Sequence, residues 1–169
     1  GRTLVKNSTV SIPNGHKVGL VGKNGTGKTS LFRLIYGEIT LDQGNLKLSK
    51  NAQIGGVSQE APGSSVTLLD TVLASDRERV DLLQKAEEEK DPLKIAEIQT
   101  RLVDIDAWSA EARASTILNG LGFDKHKQKL ACSEFSGGWR MRVALAAVLF
   151  SKPDLLLLDE PSNYLDLEG

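Results

Sequence analysis

Cysteine and long apolar runs are nearly absent from this chain of 169 residues, and neither sign of charge dominates. The one cysteine, Cys132, cannot form an internal disulfide or a cysteine metal cluster, which favours a reducing, cytoplasmic environment. No apolar run approaches the roughly 18 residues of a membrane helix, so we expect no direct membrane insertion. The formal net charge of -1 gives no global field for nucleic acid, although it does not exclude a local basic patch.

The apolar residues that are present suffice for a globular domain of mixed helix and strand. Hydrophobic residues make up 40% of the chain and charged residues 25%, which are ordinary values for a protein with a core. Apolar segments at residues 17–21, 46–48 and 54–58 predict strands, and helical spacing predicts a helix over residues 29–36. A further helical region begins at residues 67–73. The order of these segments indicates an α/β fold.

Residues 76–106 differ in character, because acids and bases alternate densely there and glycine is absent. We predict two charged helices joined near Asp91 and Pro92, with a thin apolar stripe on the side that packs. The stripe consists of Leu82, Ile95, Ile98, Leu102 and Ile105. A solvated hairpin packed on the domain and an arm that contacts a partner are both compatible with this pattern.

The clearest chemistry lies in the loop between the strand predicted at residues 17–21 and the helix predicted at residues 29–36. The loop fits G-x-x-x-x-G-K-[ST], in which glycines let backbone N–H groups turn toward phosphate oxygens and the following helix presents its positive N-terminus. Lys28 is expected to bind the β and γ phosphates, the Thr29 hydroxyl to ligate Mg²⁺, and Ser30 to donate to the α phosphate. We therefore expect ATP and Mg²⁺ as ligands. The nucleotide-binding residues are Gly22, Lys23, Asn24, Gly25, Thr26, Gly27, Lys28, Thr29 and Ser30.

Two acidic residues follow an apolar strand predicted at residues 155–158. In open α/β sheets ligands bind at the carboxyl ends of strands, where this strand delivers Asp159 as a carboxylate for Mg²⁺. Glu160 lies one residue further and can act as the general base for an attacking water. Gln59, after the strand predicted at residues 54–58, can reach the metal or the same water. The predicted catalytic residues are Glu160, Gln59 and Lys28, and the predicted metal ligands are Thr29, Gln59 and Asp159.

A serine followed by two glycines begins the last predicted helix, which runs to about Phe150 and ends before Pro153. Ser136 suits the N-cap, and Gly137 and Gly138 leave N–H groups available to an anion. A capped helix with a flexible first turn is an equally good interpretation of these three residues alone. The expected buried side of the helix carries Val143, Leu145, Val148 and Leu149.

The order of the phosphate loop, Gln59, Ser136-Gly137-Gly138, Asp159-Glu160 and Asp166 resembles the nucleotide-binding domain of ATP-binding cassette (ABC) proteins. The resemblance covers essentially the whole chain. It implies a P-loop NTPase core of the ABC type, with a mixed sheet around the P-loop helix and a helical subdomain, truncated at both ends. It also implies that the Ser-Gly-Gly element grips the γ phosphate of ATP held by a second cassette, in the same full-length chain or a dimer, and that Asp166 contacts the opposite site.

Three segments follow from this resemblance. We expect residues 1–73 to form the N-terminal part of the ATP-binding core, residues 74–135 a helical subdomain with the charged hairpin, and residues 136–169 the signature helix, the catalytic strand and the loop after it. The family's adenine-stacking aromatic residue and its catalytic histidine are expected outside these segments. His16 and His126 are not placed for the histidine's role. We therefore expect the isolated chain to bind ATP weakly and to hydrolyse it very slowly.

Two motifs resemble the ABC-F branch in particular. Transporter cassettes usually read L-S-G-G-Q, whereas this chain reads F-S-G-G-W-R-M-R from Phe135. The second motif is P-S-N-Y-L-D from Pro161. In it, Ser162 and Tyr164 replace the threonine and histidine that are usual in the branch. The resemblance implies the N-terminal cassette of an ATPase that has two cassettes and no membrane domain, with the ribosome and its rRNA as partner. The ATP-binding subunit of a membrane transporter and a non-hydrolysing, ATP-gated interaction module are the alternatives.

Overall fold

The computed structural model describes residues 6, 8–50, 52–57 and 63–160. The chain divides into two compact units, residues 1–51 and residues 52–169. The division into three segments, after residues 73 and 135, stays a prediction.

The first unit contains helix α1, Lys28–Ile35, which confirms the helix predicted over residues 29–36. Its end is fixed by Gly37, whose φ of 76° lies in the left-handed region. The Gly37 N–H donates to the Leu34 carbonyl at 3.0 Å, and the Glu38 N–H donates to the Arg33 carbonyl at 2.9 Å. These two bonds form a Schellman motif, in which glycine is favoured because it has no Cβ.

The strands predicted at residues 17–21 and 46–48 are not formed in the described structure. Their apolar side chains are exposed, Val21 by as much as 94%. A strand is stabilised by a paired neighbour and by one buried face, and among the described residues neither segment has a ladder partner. The two strand predictions are therefore wrong for this structure, since they used the apolar pattern alone.

The second unit contains a parallel pair of strands, β1 (Ile54–Gly56) and β2 (Leu155–Leu157). Both confirm predicted strands, although each is shorter than its apolar segment. Leu155 and Leu156 are half-buried rather than fully buried, because β1 is the only ladder partner of β2 in the described part of the chain. The parallel pairing places the carboxyl ends of both strands at the same edge of the sheet.

Gly55 lies where β1 passes closest to the end of the last helix. A Cβ at Gly55 would lie 2.6 Å from Cγ of Pro153 and 2.9 Å from Cγ1 of Val148. The position therefore requires glycine for the close approach of strand and helix.

Five α-helices lie in the described part of the second unit. Three short 3₁₀ turns, at Ala107–Ser109, Lys127–Lys129 and Cys132–Glu134, join or precede them. The helices are α2 (Leu68–Leu73), α3 (Arg77–Glu88), α4 (Pro92–Asp104), α5 (Ala110–Gly120) and α6 (Gly137–Phe150).

The hydrophobic core of the second unit lies between α2, α5 and α6. Its largest fully buried side chains are Phe123, Leu68, Leu118, Val72 and Val143. Leu149 was expected on the buried side of α6 but is 39% exposed. The residues of α6 that are buried are Val143, Leu145, Ala146 and Phe150.

The charged hairpin is formed by α3 and α4, as predicted. Each helix starts at an aspartate whose carboxylate accepts a backbone N–H: Asp76 from Arg79 at 3.1 Å, and Asp91 from Leu93 at 3.0 Å. Every residue of the predicted stripe is buried or half-buried. The exposed side of the hairpin carries the charges, which is the arrangement expected of a helical pair packed on a domain.

Candidate functional site

The phosphate loop, residues 22–30, folds into a tight and exposed turn. Gly25 has a φ of 77° and Gly27 a φ of 100°, both in the left-handed region that disfavours residues with a Cβ. The N–H and hydroxyl of Thr26 both donate to the Lys23 carbonyl, at 3.3 and 2.8 Å, and so close the turn. Left-handed residues alternating with right-handed ones form the backbone concavities that bind anions. Gly25 and Gly27 thus give the loop the curled backbone that the sequence predicted, and the binding of phosphate by this loop stays a prediction.

Lys28 lies against the backbone of this loop. Its Nζ donates to the Gly22 carbonyl at 2.7 Å and to the Lys23 carbonyl at 3.2 Å. These bonds hold the ammonium group beside the turn instead of letting it extend into solvent. A compact positive charge is therefore already positioned at the concavity, where it would neutralise phosphate oxygens.

The N-terminus of α1 completes the loop. The first N–H groups of an α-helix have no acceptor within the helix and carry its positive end. The N-cap of α1 is Gly27, which has no side chain to cap those groups, and Thr29 and Ser30 lie in the first turn. Exposed backbone, a left-handed turn, a fixed ammonium group and an uncapped helix end fit the phosphates of a nucleotide.

The edge of the sheet at the carboxyl end of β2 carries the predicted acidic pair. Asp159 is half-buried and Glu160 is exposed, two and three residues after the strand ends at Leu157. Glu160 has a φ of 47°, which costs a residue with a Cβ about 1–2 kcal/mol. Asp106 and Lys152 have a similar φ, of 53° and 48°, so this strain alone does not mark a functional site. The strained turn is a feature that the sequence did not predict.

The start of β2 is fixed to the chain before β1. The carboxylate of Asp154 accepts the Gln53 N–H at 2.9 Å, and the Leu155 N–H donates to the Gln53 carbonyl at 3.1 Å. β1 ends three residues before Gln59. Gln59 and Asp166 lie outside the described residues, and their roles stay predictions.

The Ser-Gly-Gly element lies at the exposed N-terminus of α6. Ser136 occupies the N-cap position, as predicted, but its side chain makes no capping hydrogen bond. A Cβ built at Gly137 or Gly138 would meet nothing within 4 Å, so the space in front of this helix end is open. The uncapped first turn is suited to receive an anion from outside, which is the role that the resemblance implied.

Two contacts near this helix escaped the sequence analysis. Gln128 is buried, and its side-chain amide is hydrogen-bonded to the Phe123 carbonyl and to the carbonyl and hydroxyl of Ser115, which lie before α6. The ring of Trp139 has cationic groups near it from Lys127 and Arg142. Neither residue follows a sequence pattern that marks it, because their partners depend on how residues 121–129 fold back on α6.

Two other kinds of site are not found in the described part of the chain. Among the described residues, no helix is long and apolar enough to cross a membrane. Within the same part of the chain, no three histidine, cysteine or acidic residues are grouped so that they could hold a metal ion. The predicted magnesium ligands Thr29 and Asp159 lie in different units of the chain, and Gln59 is not described.

Comparison with known proteins decides the family. The sequence profile of the family described as ABC transporter matches residues 5–163. The chain belongs to the ATP-binding cassette family. Its fold is therefore the P-loop NTPase fold of ABC ATPases, as the motifs predicted, and solved structures agree. CbiO1 from Clostridium perfringens, part of the ABC transporter complex cbiONQ, is 25% identical, with a TM-score of 0.52 over 86% of this chain and 54% of that one.

The similar curated proteins include members of the F branch. The chain is 46% identical over 99% of its length to probable ATP-binding protein YheS of Escherichia coli K12, of which it covers 27%. It is 42% identical over 99% of its length to ATP-binding cassette sub-family F member 3 of Homo sapiens, of which it covers 24%. The resemblance to the ABC-F branch is confirmed. The chain spans about a quarter of the length of these relatives.

Proposed function

We propose that this cassette binds Mg-ATP in the phosphate loop and hydrolyses it to ADP and phosphate together with a second cassette. The observation that carries the proposal is the conformation of the phosphate loop, where left-handed glycines and an uncapped helix end surround the fixed ammonium group of Lys28. Phosphate oxygens are the groups that such a concavity binds. The motif and the family together favour ATP among possible nucleotides.

The proposed roles follow from the chemistry of each residue. Lys28 and the loop N–H groups would hold the β and γ phosphates, and Thr29, Gln59 and Asp159 would be ligands of Mg²⁺. When bound, Mg²⁺ would neutralise phosphate charge. Glu160 orients and polarises the attacking water with Gln59, and Lys28 holds the γ phosphate as charge moves onto its oxygens. Catalysis in this proposal is positioning and electrostatics, without a covalent intermediate.

The second cassette supplies what one cassette lacks. We propose that Ser136, Gly137 and Gly138 contact the γ phosphate of the ATP bound by the partner cassette, and that Asp166 contacts the opposite site. The open space before Gly137 and Gly138 supports approach of another molecule from that side. The isolated chain should then bind ATP weakly and turn it over very slowly.

We further propose that the whole protein is a cytoplasmic ABC-F ATPase, that this chain is its first cassette, and that it acts on the ribosome. The confirmed F-branch resemblance supports this, as do the F-S-G-G-W signature and the similarity to relatives named sub-family F. ATP would act as a conformational switch, closing the two cassettes when bound and releasing them after hydrolysis.

The test is the Glu160→Gln variant of the intact protein. Removal of the general base should abolish phosphate release while ATP stays bound, so the variant should co-sediment with ribosomes when ATP is present and not when ADP replaces it. Glu111→Gln, at an exposed carboxylate in the first turn of α5, is the matched control and should keep normal phosphate release. Absence of the variant from the ribosome fraction with ATP would contradict the ribosomal role.

A transporter subunit is the second candidate, favoured by the structural similarity to cbiO1, which is part of a transporter complex. That function requires a membrane permease as a stable partner. Recovery of the intact protein with a membrane protein after detergent extraction, and not with ribosomes, would favour it. A third candidate, an ATP-gated module without hydrolysis, would be favoured if the parent protein released no phosphate.

A further inference from the structure

The first turn of α6 lacks the local interactions that usually order a helix end. Its N-cap, Ser136, makes no side-chain hydrogen bond, and no acidic residue lies in the first turn. The next two residues are Gly137 and Gly138, and glycine loses more backbone freedom on entering a helix than any other residue type. Some other contact must therefore fix the direction of the N–H groups in this turn.

Trp139 is the first large side chain of the helix, and its ring is packed on two other aromatic rings. Its centroid lies 5.1 Å from that of Phe123, at an interplanar angle of 66°, and 6.5 Å from that of Phe135. Phe123 is fully buried in the core, whereas Phe135 directly precedes the N-cap. Phe135 and Trp139 occupy the N′ and N3 positions, so their ring contact spans the N-cap and both glycines. Trp139 thus connects the helix end to the core.

The same ring also has cationic groups near it from two different elements. Arg142, on α6, has its Cζ 4.5 Å from the ring centroid, and Lys127, in the loop before the signature, has its Nζ 5.2 Å from it. A Cβ at Gly122 would lie 3.5 Å from Cζ3 of Trp139, so this loop also approaches the ring with its backbone. Trp139 therefore contacts the loop of residues 122–129 as well as its own helix.

That loop is itself held rigidly. Gln128 is buried, and its side-chain amide donates to the Phe123 carbonyl at 2.8 Å and to the Ser115 carbonyl at 3.2 Å. The Ser115 hydroxyl donates to Oε1 of Gln128 at 2.7 Å. These bonds tie residues 123–128 to α5. The surface that receives the Trp139 ring is thus fixed before any ligand binds.

We propose that Trp139 is a positioning residue for the signature: it orders the first turn of α6 against the loop of residues 122–129 and so sets the direction of the Ser136, Gly137 and Gly138 N–H groups. The proposal rests on the proposed contact of these groups with ATP of the partner cassette. Trp139 touches no phosphate in this role and acts through the helix end. A ring is required, because both the aromatic contacts and the cation contacts depend on one.

The first test needs no nucleotide. Amide hydrogen exchange is compared among variants of the intact protein by mass spectrometry on the peptide that contains Arg140 and Met141. The Arg140 N–H, which donates to the Ser136 carbonyl at 2.9 Å, is the first hydrogen-bonded amide of this helix and so reports whether its first turn is ordered. Trp139→Leu should raise the exchange rate there about tenfold, the size expected for losing one aromatic contact, and Trp139→Phe should restore most of the protection. Trp108→Leu, which removes the other tryptophan at a site 64% exposed, should leave this peptide unchanged. Unchanged exchange in a folded Trp139→Leu protein would overturn the proposal.

The second test separates this inference from the proposed function. In the intact protein, Trp139→Leu should reduce kcat for ATP hydrolysis about tenfold, while the affinity of the same protein for a fluorescent ATP analogue stays within twofold of the parent. If the parent hydrolyses ATP and the folded Trp139→Leu variant has the same kcat, the positioning role is overturned. Faster exchange in Trp139→Leu with no hydrolysis by the parent would support the ordering role and refute the proposed function alone.

Discussion

Gly55→Ala gives the sharpest test of how the sheet and the last helix meet. The added Cβ would lie 2.6 Å from Cγ of Pro153, where ordinary contact begins at 3.4 Å. Relief requires a shift of about 1 Å, and neither neighbour yields easily: the proline ring is rigid and Val148, which is β-branched, has a stiff χ1 angle. Overpacking of this kind costs about 1–3 kcal/mol, and two stiff neighbours favour the upper half of that range.

The assay is urea unfolding followed by tryptophan fluorescence. Both tryptophans, Trp108 and Trp139, lie in the same unit as Gly55, so the signal reports on that unit. The unfolding midpoint should fall with little change in slope. Gly120→Ala is the matched control, since Gly120 lies in α5 with nothing within 4 Å of its added Cβ. This variant should have a free energy of unfolding up to about 1 kcal/mol higher than the parent.

A Gly55→Ala protein as stable as the parent would refute the close approach of β1 to Pro153. The variant also has a functional consequence, because β1 pairs with β2, whose carboxyl end leads to Asp159. Displacement of β1 should slow ATP hydrolysis by the intact protein as well as lower its stability, whereas the Gly120→Ala control should change neither in that direction.

Three further predictions concern single side chains. Lys28→Ala should weaken ATP binding to the intact protein at least tenfold, measured with a fluorescent analogue, because the ammonium group beside the phosphate loop is lost. The control is Lys47→Ala, at an exposed lysine of the same unit, which should not weaken ATP binding. Gln128→Leu should lower the free energy of unfolding, measured in urea, by about 1–3 kcal/mol, because the buried Phe123 carbonyl and the part-buried Ser115 carbonyl lose their donor. The backbone N–H groups of Asp91 and Lys90 lower the pKa of the Glu89 carboxyl, so its contribution to stability is complete above the unfolded-state pKa and is lost as pH falls through the folded-state pKa. Glu89→Gln should therefore flatten the acid side of the urea midpoint plotted against pH.

Helices α1 to α4 and α6 were predictable because their signals are local, whereas no helix was predicted at α5, whose N-cap Ser109 makes no side-chain capping bond. Asp76, Asp91 and Thr67 mark helix starts in the sequence, and each accepts a backbone N–H in the structure. The hairpin follows from the break at Pro92 and from charge on one side. The phosphate loop was predictable for a related reason, since its glycines set the backbone within a few residues of Lys28.

The errors all concern contacts between distant residues. Residues 17–21 have the composition of a buried strand, but a strand also needs a partner, which composition does not show. Leu149 lies among apolar residues on a helix that is apolar on most sides, so the pattern could not indicate which side meets the core. The Trp139 ring and Gln128 gain their meaning only when residues 121–129 fold back, and no local pattern records that fold.

The way each helix starts separates stabilising elements from candidate ligand sites. α2, α3 and α4 each begin at a side chain that accepts a backbone N–H, which is worth about 1 kcal/mol to a helix. α5 continues from a 3₁₀ turn. α1 and α6, the two helices that follow the phosphate loop and the signature, have no such cap in the described structure. A capping oxygen there would compete with phosphate oxygens for the same N–H groups. Its absence lowers the stability of the helix end, and the binding of phosphate can offset that loss. α1 compensates with the glycine turn and Lys28, whereas α6 depends on Trp139. The residue at position 139 therefore determines whether the uncapped end of α6 is an ordered binding surface or a frayed one.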